Sequence, residues 1–413
     1  MSVRIEPLPL SRNRNYNLLW ITQVVSELGS DISYIAFPLL ILATSGSPLE
    51  MGIVSAASAA AHMVGELPGG VLADRFDRKK IMLLCDGCRA LALGSLAVAL
   101  LAGVFSFEHV LVVAVVEGLC ASMFGPAEEA TVPRIVHETQ LSTAVARNTA
   151  RTYIAGLVGP GLGGFLFSVN RMVPFLVDAV SYAVSFVGLL FLRLPPREAD
   201  AAADDDEEPA AEGLSSGFAW VLRHRVIRTT LVWIVGSNLV FAALVIVILA
   251  LAGEHEAGPG EIGIMMSFFG VGGLLGAVVA PRLHAALPAP VIVLGFSWIA
   301  AALTTAMAFA PGGLALGAIL GVVAFFAPVA NTTIITYQMT VTPDEYRGRL
   351  SGVTGLCGGV AGALGPLVGG LLMTGTGGGA TGVLACATAL AVIAIAATLN
   401  PTLRRFPTLR QHA

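Results

Sequence analysis

The sequence predicts an all-α integral membrane protein with twelve transmembrane helices in two six-helix, pseudo-symmetric bundles. Three observations predict it: an apolar composition, a series of apolar runs long enough to cross a bilayer, and a motif that recurs half a chain later. Apolar residues make up 55% of the 413 and charged residues 12%, against roughly 45–50% and about 25% in ordinary soluble domains. The mean hydropathy of +0.81 points the same way. A chain this apolar cannot cover a water-facing surface with polar groups, so a lipid bilayer is the expected solvent. The net charge of −4 is small and implies no nucleic acid or other strongly charged partner.

A helix needs about 20 mainly apolar residues to cross the hydrocarbon core, and in the first half such runs lie at about 17–44, 49–73, 79–103, 107–126, 143–168 and 172–194. In the second half they lie at about 226–252, 260–284, 288–310, 313–338, 350–374 and 379–399. The first run follows a polar, basic start with Arg4, Arg12 and Arg14. It is too long for a signal-peptide core and has no small-residue cleavage site, so it reads as a retained first span. Between the halves, Pro195 to Gly217 includes the stretch AAADDDEE (Ala201 to Glu208) and few large apolar residues, the composition of a solvated linker. The expected organisation is a bundle at 1–195, a cytoplasmic linker at 196–217 and a bundle at 218–413.

Orientation follows from Lys and Arg. The N-terminus, the 74–80 loop, the 193–228 connector, the 345–349 loop and the C-terminal tail hold most of the 23. An even number of spans puts all of these on one side, with Arg171 alone in a loop on the other. Both termini are therefore expected in the cytoplasm, with the chain multi-pass in the plasma (cytoplasmic) membrane and monomeric. The five cysteines build no disulfide framework. Cys85 and Cys88 form a C-x-x-C without a second pair for zinc, so they read as small packing residues and no metal or cofactor is expected.

The halves repeat. The fifth span carries Gly159-Pro160-Gly161-Leu162-Gly163-Gly164 and the eleventh Gly365-Pro366-Leu367-Val368-Gly369-Gly370, at an offset of 365 − 159 = 206. Two six-helix repeats joined by a linker are expected of a transporter whose small-molecule site lies between its halves. The glycines do not form a nucleotide loop. They are not G-x-G-x-x-G after a strand, and no phosphate-binding lysine stands near, so an ion gradient is the expected energy source.

Between the second and third spans stands Gly70-Val71-Leu72-Ala73-Asp74-Arg75-Phe76-Asp77-Arg78-Lys79-Lys80. It resembles the G-x-L-a-D-r-x-G-r-k signature of the major facilitator superfamily, with Asp77 where that family usually has glycine. The second-half counterpart, Gly276 to Leu283, keeps only Gly276 and Arg282 recognisably. Gly159, Pro160, Gly163 and Gly164 resemble the motif of the family's proton-exchanging exporters; tight helix packing alone is the other reading. With Asn17-Leu18-Leu19-Trp20 and the Asp86-x-x-Arg89 pair, the chain looks like the branch containing macrolide-efflux and enterobactin-exporter proteins. The resemblance implies that Gly70, Asp74, Arg75, Arg78 and Lys79 gate the cytoplasmic side, with Asp74 held by a partner. It also implies that helices one, four, seven and ten line a central cavity.

An ionisable residue inside the membrane is a functional suspect by default. Glu27 and Asp31 lie four apart on one face of the first span, and Glu117 lies near the middle of the fourth. A free Asp titrates near 3.9, and burial beside another carboxylate raises such a value by up to several units. Asp31, helped by Glu27 or Glu117, is therefore the expected proton-coupling site. Other charges read as structural: Asp86 pairing with Arg89, and Asp178 with Arg151. The second half has no Asp, Glu, Lys or Arg between Arg282 and Asp344. Its cavity candidates are neutral: Asn238, Asn331, Tyr337 and Gln338, with Trp233, Phe241, Phe325 and Phe326 adding aromatic surface. Carboxylates facing an aromatic half suit an amphipathic substrate; the resemblance implies that it is a drug, siderophore or natural product, exported against protons. An importer on the same fold and a non-transporting receptor or scaffold are the rival readings. An intramembrane enzyme is disfavoured, because no His-Glu-x-x-His, Ser/Lys dyad or metal-ligand cluster appears in the spans.

Overall fold

The structure is a computed structural model that describes residues 9–194, 220 and 223–404. The expected linker at 196–217 and the basic residue Arg4 lie outside the described residues. Twelve long helices are present among them. The first six are α1 (Arg14–Thr44), α2 (Pro48–Arg75), α3 (Arg78–Leu101), α4 (Phe107–Ile135), α5 (Leu141–Val169) and α6 (Val173–Phe191). The others are α7 (Arg225–Glu254), α8 (Pro259–Ala286), α9 (Ala289–Met307), α10 (Gly313–Val341), α11 (Asp344–Thr376) and α12 (Gly379–Leu399), followed by the short α13 (Pro401–Arg404). Even the 19-residue α6 and α9 reach about 28 Å at a rise of about 1.5 Å per residue. Eleven of the twelve are long and apolar enough to cross a membrane. The remaining one, α2, has the length, but Glu50, His62, Glu66, Asp74, Arg75 and many small residues dilute its apolarity.

Local chemistry sets the helix ends. Asp77 caps α3 at φ −66°, its carboxylate accepting from the Lys79 N–H at 2.9 Å. The position where the family has glycine thus needs no left-handed backbone and supplies a cap instead. Ser106 caps α4 by accepting from the His109 N–H. Proline stands in the first turn of α6, α8 and α9, where its missing N–H costs no helical bond. Past α11, Gly377 takes a left-handed φ of +73°, the usual glycine stop. The fourth span departs from expectation. It runs to Ile135, through Pro126, Glu128, Glu129 and Pro133, beyond the apolar window expected to end near 126. The helix tolerates Glu128 because Arg151 neutralises it.

The chain divides into two compact units. One takes in the described residues up to Leu40 and from Ala57 to 194; the other takes in Ile41–Ala56 and the described residues from 220 on. Within the first, a side chain at Gly118 of α4 would overlap the Ser58 carbonyl of α2, and Gly65 and Gly69 lie as tightly against Ser122. Within the second, Gly272 and Gly276 of α8 sit against the Gly321 and Phe325 carbonyls of α10. Small residues spaced by four let helix backbones approach in lipid, where apolar burial between helices gives little drive. The same device therefore joins α2 to α4 and α8 to α10. Gly276 plays the part of Gly69, whereas a side chain at Gly70 would meet nothing within 4 Å.

Candidate functional site

The signature around 70–80 ties down helix ends. Arg78 donates to the Ala73 carbonyl at 3.1 Å and the Ala130 carbonyl at 2.6 Å, joining α2 to α4. Lys79 donates through Nζ to the Leu190 and Leu192 carbonyls at the end of α6, at 2.9 and 2.8 Å. Cations belong at helix C-termini, where unpaired carbonyls carry partial negative charge. Asp74 departs from expectation. It is exposed and makes no hydrogen bond or ion pair among the described residues. Arg75 is likewise exposed.

The exporter-type motif and Asp31 meet directly. Gly159 and Gly163 are buried where α5 crosses α1. A methyl group at Gly159 would overlap the Asp31 Cβ, and one at Gly163 would lie 2.7 Å from the Ile32 carbonyl oxygen. The glycines thus fix the backbone that presents Asp31, which is half-buried and has no ion pair among the described residues. In the second unit Gly365 and Gly369 press on Ala242 and Ala243 of α7 in the same manner. The repeat therefore sets Ala242 where the first unit has Asp31.

Two arginines organise Glu27, Glu128 and Glu117. Arg151 of α5 donates from Nε to Glu27 Oε2 of α1. It also holds Glu128 of α4 bidentately, NH1 to Oε1 at 2.8 Å and NH2 to Oε2 at 3.3 Å. The expected Asp178–Arg151 pair is absent: Asp178 accepts from Ser181 at 3.1 Å instead. Arg89 of α3 does not pair with Asp86. It lies 3.6 Å from Glu117 Oε2 of α4, donates to the Glu117 carbonyl at 3.4 Å, and sits 4.7 Å over the Tyr182 ring. Tyr182 of α6 donates to Glu117 Oε2 at 3.2 Å and shares a hydrogen bond of 2.7 Å with Ser30 of α1. The i, i+3 spacing allowed the Asp86–Arg89 contact, but the guanidinium reaches across to the neighbouring helix.

A cavity of about 490 Å³ opens between α4 and α5, lined by Glu128, Glu129, Val132, Asn148, Thr149 and Arg151 among others. That volume falls within the ~300–1,000 Å³ of small-molecule sites. Sequence reasoning missed Glu128 and this cavity. The signal was the Glu128-Glu129 pair inside a helix whose apolar run had just ended.

The neutral cavity candidates of the second unit separate. Asn238 and Asn331 are exposed. Tyr337 and Gln338 are buried, and the Gln338 amide donates to Thr230 at 3.0 Å, holding α10 against α7. The Gln338 amide thus acts as a strut between these two helices. Trp233 is also buried, donating to Ser297 at 2.9 Å. Among the described residues no group of three or more His, Cys, Asp or Glu is arranged to hold a metal ion.

The family described as transmembrane secretion effector matches residues 6–412. The multidrug efflux pump Tap of Mycolicibacterium fortuitum is 30% identical, over 94% of this chain and 96% of its own. The enterobactin exporter EntS of Shigella boydii serotype 18 is 25% identical, over 82% and 80%. Among solved structures, a bacterial homolog of the human lysosomal transporter Spinster superposes with a TM-score of 0.75 at 15% identity, covering 93% of this chain and 96% of that one. The nucleoside transporter NupG gives 0.70 at 15%, covering 92% and 98%. At such identities these likenesses show the fold.

Proposed function

Because the chain belongs to the transmembrane secretion effector family of the major facilitator superfamily, we propose that this multi-pass membrane transporter exports a small amphipathic molecule by proton antiport and alternating access. The substrate class is a drug, siderophore or natural product, in keeping with two relatives, a multidrug efflux pump and an enterobactin exporter. Asp31 carries the proposal: a half-buried carboxylate without an ion pair, seated on the glycine face of α5. Such a carboxylate can exchange a proton for a substrate without first breaking a salt bridge. Glu27 helps through Arg151, and Glu117 through Arg89 and Tyr182. Asn238 and Asn331 supply neutral contacts to the substrate. Gly70, Asp74, Arg75, Arg78 and Lys79 serve the cytoplasmic gate, with Asp74 finding its partner in another conformation. The protein works as a monomer in the plasma membrane, its bundles at 1–195 and 218–413 joined by the linker at 196–217.

Transport into inside-out vesicles, with a substrate panel and an imposed proton gradient, tests this reading. Export predicts gradient-driven uptake of at least one amphipathic compound into those vesicles, abolished by a protonophore. Uptake only in right-side-out vesicles identifies an importer.

A further inference from the structure

The core of the first unit contains carboxylates that neither the Asp31 site nor the Arg151 network uses. Asp86 of α3 and Asp178 of α6 are each 0% exposed. Neither oxygen of Asp86 has a hydrogen-bond partner within 3.5 Å, although the Ser185 hydroxyl lies nearby. Asp178 keeps Oδ2 unpartnered, with the Ser33 hydroxyl near it, and Glu117 keeps Oε1 unpartnered. The charged groups facing Asp86 are Arg89, Glu117 and Glu128; those facing Asp178 are Glu117 and Arg89. Tyr182 adds a neutral phenol beside Glu117 and Arg89. Arg89 is thus the one cation facing this core among the described residues, and its closest carboxylate contact is Glu117.

A single guanidinium faces Asp86, Glu117 and Asp178. Serine hydroxyls can solvate a carboxylate but cannot neutralise it. An ionised carboxylate buried without a cation or a full set of donors is strongly unfavourable, and taking up a proton removes the charge. No metal-holding arrangement is present among the described residues, so the proton is the cation that fits.

We propose that the α3–α4–α6 core is a proton-binding site distinct from Asp31, holding one proton on Asp86 and one on Asp178 at neutral pH. Hydrogen bonds from Glu117 through Tyr182 reach Ser30 of α1, the residue beside Asp31.

Infrared spectroscopy of the purified full-length protein in lipid nanodiscs tests the proposal without any transport, so its failure is separate from failure of the antiport reading. The carbonyl stretch of protonated carboxyl groups is recorded at neutral pH in wild type, Asp86→Asn, Asp178→Asn and Asp31→Asn. The expected spectrum shows the band in wild type, losing the Asp86 or the Asp178 component in the first two variants respectively, while Asp31→Asn loses only what Asp31 itself contributes and keeps both core components. A wild-type spectrum without the band overturns the proposal, whatever the variants do. So does a band unchanged in both Asp86→Asn and Asp178→Asn, or one that sodium abolishes, which would make the core a metal-cation site.

Discussion

Arg151 is the residue on which two intramembrane carboxylates depend. Its side chain is 9% exposed, and it faces Glu27 on α1 and Glu128 on α4. Removing one partner from a buried ion pair leaves uncompensated charge, at a cost of about 3–5 kcal/mol. Arg151→Ala should therefore lower the thermal midpoint in detergent sharply, and adding Glu27→Gln and Glu128→Gln should recover part of the loss. Equal midpoints for wild type and Arg151→Ala would mean that water screens the network. Gly159 poses a steric test. Alanine is the better helix former by about 1 kcal/mol, but here its methyl meets the Asp31 Cβ. Overpacking of this kind costs about 1–3 kcal/mol. Gly159→Ala should thus be destabilised and poor in transport, while Gly70→Ala, facing open space, should be stable. Equal stability of the two would show that α1 and α5 can move apart freely.

At the scale of elements, the cap at Asp77 explains how the signature loop works without its usual glycine. Asp77→Ala should destabilise by about 1 kcal/mol and Asp77→Gly by only a few tenths, the order expected of an N-cap. Calorimetry or a thermal shift assay reads the ranking, and a glycine variant less stable than alanine would contradict the cap. The elements themselves were legible in the sequence, because a run of about 20 apolar residues has few other solutions in lipid. What sits beside what was not. Helical spacing placed Asp86 near Arg89, yet Arg89 turns to Glu117 on α4. Asp178 was expected to meet Arg151, which instead holds Glu27 and Glu128. Spacing along one helix says nothing of which neighbour lies closer. The apolar window also hid the last turns of α4, since it treats Glu128 as if no cation faced it.

For the whole molecule, the repeat and the charge asymmetry lead to testable statements. The Gly-Pro-x-x-Gly-Gly motif, read from sequence alone, marks equivalent crossings: α5 on α1 and α11 on α7. The two crossings are chemically unequal, with Asp31 at one and Ala242 at the other. On the proposed reading, coupling belongs to the first half and neutral substrate contacts to the second. The distribution of Lys and Arg predicts the topology. In a cysteine-free background, cysteines introduced at Ser47 and Gly378 should react with an impermeant thiol reagent from outside the cell, and one at Gly213 should not. Reversed labelling would overturn the orientation and with it the direction of transport.

Substrate-induced proton release from the purified transporter reads out proton coupling through Asp31. The wild type should release protons when an exported compound is added. Asp31→Asn should bind that compound and carry it downhill but release none, with Glu27→Gln and Glu117→Gln intermediate. Proton release of wild-type size from the Asp31→Asn, Glu27→Gln, Glu117→Gln triple variant would mean that the coupling proton binds elsewhere.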